Sequence, residues 1–268
     1  MIITKNELEA IKKNPKNNFY QEVDFGTKKI KLIKQGQKAI FENTIILDLS
    51  EKIKDNFCYL LDEQGLRKIA FFSEATNKFY KLIPTKNWPT ISIASTPMHR
   101  RDSPKKDSYN KIDLIRPYGE VLDTCMGLGY TAILASQKAK KVITYERDET
   151  VFMIAEINPL SKDLFKTVNI FIEKKDINLA IKEIKPYVFD CIIHDPPTFK
   201  LSPELFSEQF YKEMYRVLKG KGRVFHYAPL YKVKRGFDFP KKIKEKLKKT
   251  GFKNISYSEE AGGFLCQK

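Results

Sequence analysis

The sequence predicts an α/β protein: an open, mostly parallel sheet ending in an antiparallel hairpin, preceded by a small β-rich N-terminal domain. Three observations predict it. From about Asp113 onward, short apolar runs alternate with helical segments, as strand–helix–strand units do. The chain then ends in strand, turn, strand (residues 252–257, 259–263 and 264–267). Upstream, from Thr27 to about Ser95, short β-rich runs follow one another between turn signals.

Taken in order, a short helix is expected over residues 6–13. The β runs lie at 29–33, 39–41, 44–47, 57–61, 69–72, 79–83 and 91–93, with turns marked by Gln35-Gly36, Glu63-Gln64-Gly65 and Trp88-Pro89. They predict an antiparallel domain over residues 1–96, for which a barrel is one closure. A polar, basic, proline-containing stretch, 97–112, reads as a linker. The second domain, 113–268, has strands expected at 120–123, 142–145, 168–172, 189–194 and 223–227. Its helices are expected at 130–138, 150–158, 177–183, 203–218 and 240–249.

Composition narrows the function. No run of about 18 apolar residues exists, so no membrane span is expected. Met1-Ile2-Ile3-Thr4-Lys5 lacks a secretory apolar region with a cleavage site, which points to the cytoplasm. Cys58, Cys125, Cys191 and Cys266 are far apart, and His99, His194 and His226 have no ligand spacing, so neither disulfides nor a metal is implied. Lys and Arg number 49 against 33 Asp and Glu, a net charge of +16 that favours a polyanionic partner. The bland alternative is a lysine-rich, solvated surface.

The most informative feature is Asp195-Pro196-Pro197, at the end of the apolar run 189–194. A strand that stops in two prolines cannot extend its ladder, because neither has an N–H to donate. The corner leaves the Asp195 carboxylate and the Pro196 carbonyl at the carboxyl end of a strand, where open α/β sheets bind ligands. Such acceptors suit the hydrogens of an NH2 group. The same tripeptide also serves as a plain turn.

The company it keeps bears on that choice. Val121 to Tyr130 reads as strand, glycine turn and helix start, with Asp123 closing the strand and Gly127 and Gly129 allowing close backbone approach. Glu146 ends the next strand, where an acid binds ribose hydroxyls, and Asp176 follows the third. Each acid alone also fits as a helix cap.

These residues resemble the class I S-adenosylmethionine-dependent methyltransferases, over about residues 113–268. The resemblance implies a Rossmann-like seven-stranded sheet whose last strand runs antiparallel. It implies S-adenosylmethionine as cofactor, held by Asp123, Cys125, Gly127 and Gly129 as the glycine motif, Glu146 at the ribose, Asp176 at the adenine, and His194 nearby. Cys125 stands where the family usually has Gly. The Asp195-Pro196-Pro197 corner resembles that of amino methyltransferases, in which an aromatic residue follows. Here Thr198 takes that place, and Phe199, Tyr227 or His194 is left to stack the base. Asp195, Pro196, Pro197 and Phe199 are thus the expected catalytic group, with direct in-line transfer to nitrogen. Cys191, inside the apolar run, reads as core, which argues against carbon-5 chemistry on cytosine.

Within that class the second domain looks like an archaeal group of methyltransferases associated with N4 methylation of cytidine in ribosomal RNA. His99, Arg100 and Arg101, with Lys232, Lys234 and Arg235, are candidates for contacting RNA. In residues 241–249 a buried stripe of Ile243 and Leu247 is expected, with lysines elsewhere. Methylation of a guanine or adenine amine in RNA or DNA remains open, because Asp-Pro-Pro does not name the base. Polyamine aminopropyl transfer and a non-enzymatic RNA-binding module are the other readings. The first needs an acidic pocket and a net charge of the opposite sign.

Overall fold

The computed structural model describes residues 1–99, 103–230 and 238–268. The chain forms two compact units, Met1–Pro104 with Met153–Leu160, and Lys105–Phe152 with Ser161–Lys268.

In the first unit, β1 (Ile2–Ile3) leads to α1 (Lys5–Lys13), whose start is fixed by Thr4 N donating to Glu7 Oε2 at 2.6 Å. Leu8 and Ile11, three apart, turn one face of that helix inward. Strands β2 (Asn18–Val23), β3 (Lys28–Gln35), β4 (Lys38–Phe41) and β5 (Ile45–Asp48) form an antiparallel meander. Its inner face is Phe19, Val23, Ile30, Leu32, Ala39, Phe41 and Leu47. Strand β2 was not expected from the sequence. Gln21 sits between Phe19 and Val23 on the inner side, which hides the alternation. Strand β6 (Tyr59–Asp62) pairs with β1 on one side and with β7 (Gly65–Lys68) on the other. Strands β8 (Ala70–Ser73), β9 (Lys78–Ile83), β10 (Thr90–Ile93) and β11 (Thr96–Pro97) make another antiparallel sheet. The β-rich region is therefore three open antiparallel sheets rather than one closed barrel.

Helix α2 (Pro104–Ile115) occupies most of the stretch expected as a linker. Proline suits a first helical turn, and Ser108, Lys111, Ile112 and Ile115 are buried along one side. The buried lysine is what makes this helix read as a polar linker.

The chain continues with β12 (Glu120–Asp123), α3 (Tyr130–Ser136), β13 (Lys141–Tyr145), α4 (Glu149–Ile157), α5 (Lys162–Lys166), β14 (Ile170–Glu173) and α6 (Ile177–Ala180). Then follow β15 (Phe189–His194), α7 (Glu208–Val217), β16 (Leu218–Tyr227), α8 (Phe239–Thr250), β17 (Lys253–Ser258) and β18 (Gly263–Gln267). The sheet order is β14-β13-β12-β15-β16-β18-β17, with β12 to β16 parallel and β18 antiparallel to both neighbours. This is the seven-stranded arrangement with a C-terminal hairpin. Strand order reverses between β12 and β15, so their carboxyl ends flank the switch point where such sheets bind ligands.

The core of this unit sits against β12, β15 and β16. It is built from Leu122, Ile192, Val224, Phe189, Phe210, Met214, Leu247 and Phe252. Helix α8 is capped by Asp238, which accepts from Lys241 N at 2.9 Å, and ends at Gly251. Ile243 and Leu247 form its buried stripe, as expected. No described helix is long and apolar enough to cross a membrane.

Candidate active site

The carboxyl ends of β12, β13 and β15 bring the expected acids together. Asp123 is fully buried, and its carboxylate accepts from Thr144 Oγ1 at 2.7 Å and Thr131 Oγ1 at 3.4 Å. Burial pushes this carboxyl up to about 7 against the Thr144 bond, and the charges of Asp195 and Glu146 add to the rise. Glu146 accepts from Gly127 N at 3.2 Å through Oε2 and from Asp148 N at 2.9 Å through Oε1. Burial holds it at about 7 as well.

The glycine turn runs between these acids. Gly129 has φ +76° at the start of α3, and a Cβ there would stand 2.5 Å from Leu164 Cδ2. Gly127 has φ +54°, and a Cβ there would meet nothing within 4 Å. One glycine is required by packing. The other borders open space, as a cradle for a ligand does.

An open cleft lies here, lined by Thr124, Cys125, Glu146, Arg147, Asp176 and Pro197 among others. Its acids, Glu146 and Asp176, fit a ligand carrying hydroxyls and positive charge. Cys125 is half-buried, and burial pushes its thiol well up, which disfavours the thiolate form. Asp176 lines the cleft, but its oxygens already have work. Oδ1 caps α6 by accepting from Asn178 N at 2.8 Å, and Oδ2 pairs with Arg147 at 2.8 Å. Arg147 also reaches Glu204 at 2.9 Å. This arginine, next to Glu146 in sequence, was not singled out beforehand.

His194 does not belong to the ligand contacts. The ring is fully buried; Nε2 lies 3.0 Å from the Leu205 carbonyl and so carries the proton, while Nδ1, 2.8 Å away, accepts from Thr124 Oγ1. Phe210 and His226 pack on it at 5.2 and 4.6 Å between centroids. Burial, then the neighbouring His226, pushes its imidazole well below the ordinary range. This corrects the sequence-based placement of His194 among the cofactor contacts and removes it as a stacking platform. Both faces of β15 are buried, so position on the strand does not tell which side chains meet a ligand.

At the end of β15, Asp195 is held by a residue the sequence reading missed. Lys111 Nζ, from α2, lies 2.6 Å from Asp195 Oδ2 and 2.5 Å from Asp107 Oδ2. The same ammonium lies 5.2 Å from the centre of the Tyr227 ring. The two carboxylates keep the lysine charged and raise its pKa despite burial. Burial raises the Asp195 carboxyl, and Lys111 opposes the rise. Among the described residues no donor reaches Asp195 Oδ1.

Pro196 is buried and Pro197 half-buried. The chain then turns, with Leu201 N and Ser202 N donating to the Thr198 carbonyl. Phe199 is 48% exposed beside Phe206 and Phe239 at 5.7 and 6.0 Å, so its ring has an open face. Of the residues expected at RNA, His99 lies in the first unit, its Nδ1 2.9 Å from Thr90 Oγ1. Arg100, Arg101, Lys232, Lys234 and Arg235 lie outside the described residues. Two lysines of α8 are used within the fold: Lys246 donates to the Phe206 carbonyl at 2.8 Å, and Lys249 pairs with Glu208 at 2.8 Å. Among the described residues no group of three or more His, Cys, Asp or Glu is placed to hold a metal ion.

Comparison with known proteins agrees with this geometry. The sequence model of a family described as S-adenosyl-L-methionine-dependent methyltransferase matches residues 140–263. A relative from Methanocaldococcus jannaschii, the uncharacterized protein MJ1233, is 42% identical over 252 residues, covering 90% of this chain and 85% of that protein. Among solved structures, a spermidine synthase in complex with the transition-state analogue AdoDATO superposes with a TM-score of 0.59 at 13% identity. That match covers 95% of this chain and 81% of the other. Spermidine synthase from Thermotoga maritima gives 0.57 at 14% identity, covering 95% and 79%. At these identities the structural likeness shows the fold alone.

Proposed function

On the match of residues 140–263 to the model of an S-adenosyl-L-methionine-dependent methyltransferase family, we propose that the chain methylates an exocyclic amine of a base in RNA, with N4 of cytidine in ribosomal RNA as the first candidate. The observation that carries this reading is the Asp195 corner. One carboxylate oxygen is fixed by Lys111, the other has no donor among the described residues, and Pro197 of the same corner lines the cleft. The net charge of +16 supports a polyanionic substrate.

When bound, the cofactor supplies an electrophilic methyl group on a sulfonium. Asp123 and Glu146 are placed for its charge and hydroxyls, and the backbone at Gly127 for close approach. Asp195 Oδ1 and the Pro196 carbonyl accept the two amine hydrogens, which turns the nitrogen lone pair toward the methyl donor. As the nitrogen–carbon bond would form, the methyl–sulfur bond would break and leave the thioether product; the Asp195 carboxylate would stabilise the positive charge developing on nitrogen and take up the one proton it sheds. Phe199, with its exposed ring, is the platform for the base. Stacking of this kind contributes about 1–3 kcal/mol.

A second reading, aminopropyl transfer to a polyamine, has the fold likeness to spermidine synthases in its favour. The test separates the two. Full-length protein is incubated with methyl-labelled S-adenosylmethionine, decarboxylated S-adenosylmethionine, unmodified ribosomal or transfer RNA, and spermidine, and the products are identified by nucleoside and amine mass analysis. Label in a base amine is expected. Label confined to protein, or no transfer with decarboxylated cofactor converted to polyamine, overturns the proposal.

A further inference from the structure

Helix α2 places Asp107 and Lys111 one turn apart on one side, and the end of β15 brings Asp195 to the same point. The resulting shell is two carboxylates and an aromatic ring around one ammonium. Lys111 Nζ lies at 2.5 and 2.6 Å from the two carboxylate oxygens and 5.2 Å from the Tyr227 ring centre. Its side chain is 4% exposed. Charge-assisted bonds to carboxylates and the face of a ring are what a protein uses to hold an alkylammonium. Here the chain supplies that alkylammonium itself.

We propose that Lys111 is a specificity-determining residue: its ammonium fills the one place at the Asp195 corner that would otherwise hold an aliphatic amine. This rests on the reading above that Asp195 receives the acceptor. With Oδ2 taken, only Oδ1 remains, and it faces an acceptor beside a fixed positive charge. A base amine is uncharged at neutral pH and needs only an acceptor for its N–H. A polyamine arrives as a cation, is repelled by Lys111, and finds no free carboxylate pair. Removing the ammonium exposes the pair and reverses the preference.

The test uses the full chain, with spermidine as the probe. Lys111→Met keeps the apolar stem and removes the charge, whereas Lys111→Arg keeps it. Calorimetric affinity for spermidine and steady-state methyl transfer to RNA are measured for each. Wild type and Lys111→Arg are expected to bind spermidine only weakly. Lys111→Met is expected to bind it at least about tenfold more tightly, a change of about 1.4 kcal/mol. Its kcat on RNA is expected to fall at least about tenfold at little-changed KM, with Lys111→Arg recovering part of the rate. If Lys111→Met does not fold, Lys111→Met/Asp107→Asn, which removes one charge of each sign, is compared with Asp107→Asn and is expected to bind spermidine more tightly. A wild-type protein that already binds spermidine tightly overturns the proposal. So does a folded Lys111→Met, or failing that the double variant, with no gain in spermidine affinity, whatever happens to its rate. If wild type transfers no methyl to RNA, the acceptor reading falls, while the spermidine comparison still decides the role of Lys111.

Discussion

The strand ends of the second unit hold two acidic regions, and they treat their charge in opposite ways. At β12 and β13, the hydrogen-bond partners of Asp123 and Glu146 are hydroxyls and backbone N–H groups, and burial lifts both carboxyls to about 7. At β15, Asp195 has a buried lysine at 2.6 Å. Burying a carboxylate is costly unless something compensates it. In the first region no cation is paired with either acid among the described residues. The second builds one into the chain. Under the proposed function, the first region meets a charged cofactor and the second presents an oxygen to an uncharged amine.

Substitutions in the two regions are expected to give opposite kinetic signatures. Asp195→Ala should lower kcat by about 10²–10⁴-fold, the range for losing a positioned acceptor of protons, with cofactor affinity nearly unchanged. Glu146→Ala should weaken cofactor binding by about 10–100-fold through lost charge-assisted hydrogen bonds, with kcat at saturating cofactor within a few-fold of wild type. Steady-state kinetics and calorimetry on both variants check this. If both lose kcat alike, the division between the regions is wrong.

His194 sharpens the boundary between them. It directly precedes Asp195, yet its ring bonds to Thr124 and the Leu205 carbonyl among packed aromatics. His194→Ala is expected to cost about 2–4 kcal/mol of stability, from a cavity and an unsatisfied carbonyl, read by thermal or denaturant unfolding. Cofactor affinity of the folded protein should stay within a few-fold. A loss of more than about tenfold there would return His194 to the cofactor contacts.

How much was legible in the sequence follows from the range of the interactions. The glycine turn, Asp123 and Glu146 lie at the ends of strands whose apolar runs are plain, so local pattern located them. Asp195 was marked by two prolines. Lys111 left no such mark, because its partner lies 84 residues away and a buried lysine reads as a solvated one. The same residue disguised α2 as a linker. On His194 the sequence misled, since a strand buried on both faces has no alternation to show which side chains meet a ligand. In the N-terminal unit β2 was lost because Gln21 interrupts its inward face.

The raised carboxyls of the first region, both at about 7, also set a pH dependence. Cofactor binding by charge favours ionised Asp123 and Glu146, so its dissociation constant should be flat well above pH 7. It should rise as pH falls below about 7, by up to about tenfold per unit for each group. In the free protein the sign is reversed. With folded values near 7 against ordinary values of 3.8 and 4.5, the folded state binds protons more tightly between about pH 4.5 and 7. These two groups therefore make the free protein less stable as pH rises through that window. Melting temperatures and calorimetric affinities at pH 6 and 8 check both signs. Glu146→Gln should remove about half of each effect. A cofactor affinity independent of pH would place the cofactor charge away from both acids.

The smallest expected effect lies at the rim of the first region. Arg147 bridges Asp176 and Glu204 at 2.8 and 2.9 Å, but its side chain is 46% exposed, so solvent and salt screen both pairs. Arg147→Ala is expected to cost no more than about 1 kcal/mol of stability. Asp176 would still cap α6 through Asn178 N. That cap, rather than the arginine, holds Asp176 at the edge of the cleft, so cofactor affinity should change by less than about fivefold, or about 1 kcal/mol. A larger loss, measured by calorimetry at fixed salt, would mean that Arg147 itself contacts the cofactor and that the first region, like the second, has a cation of its own.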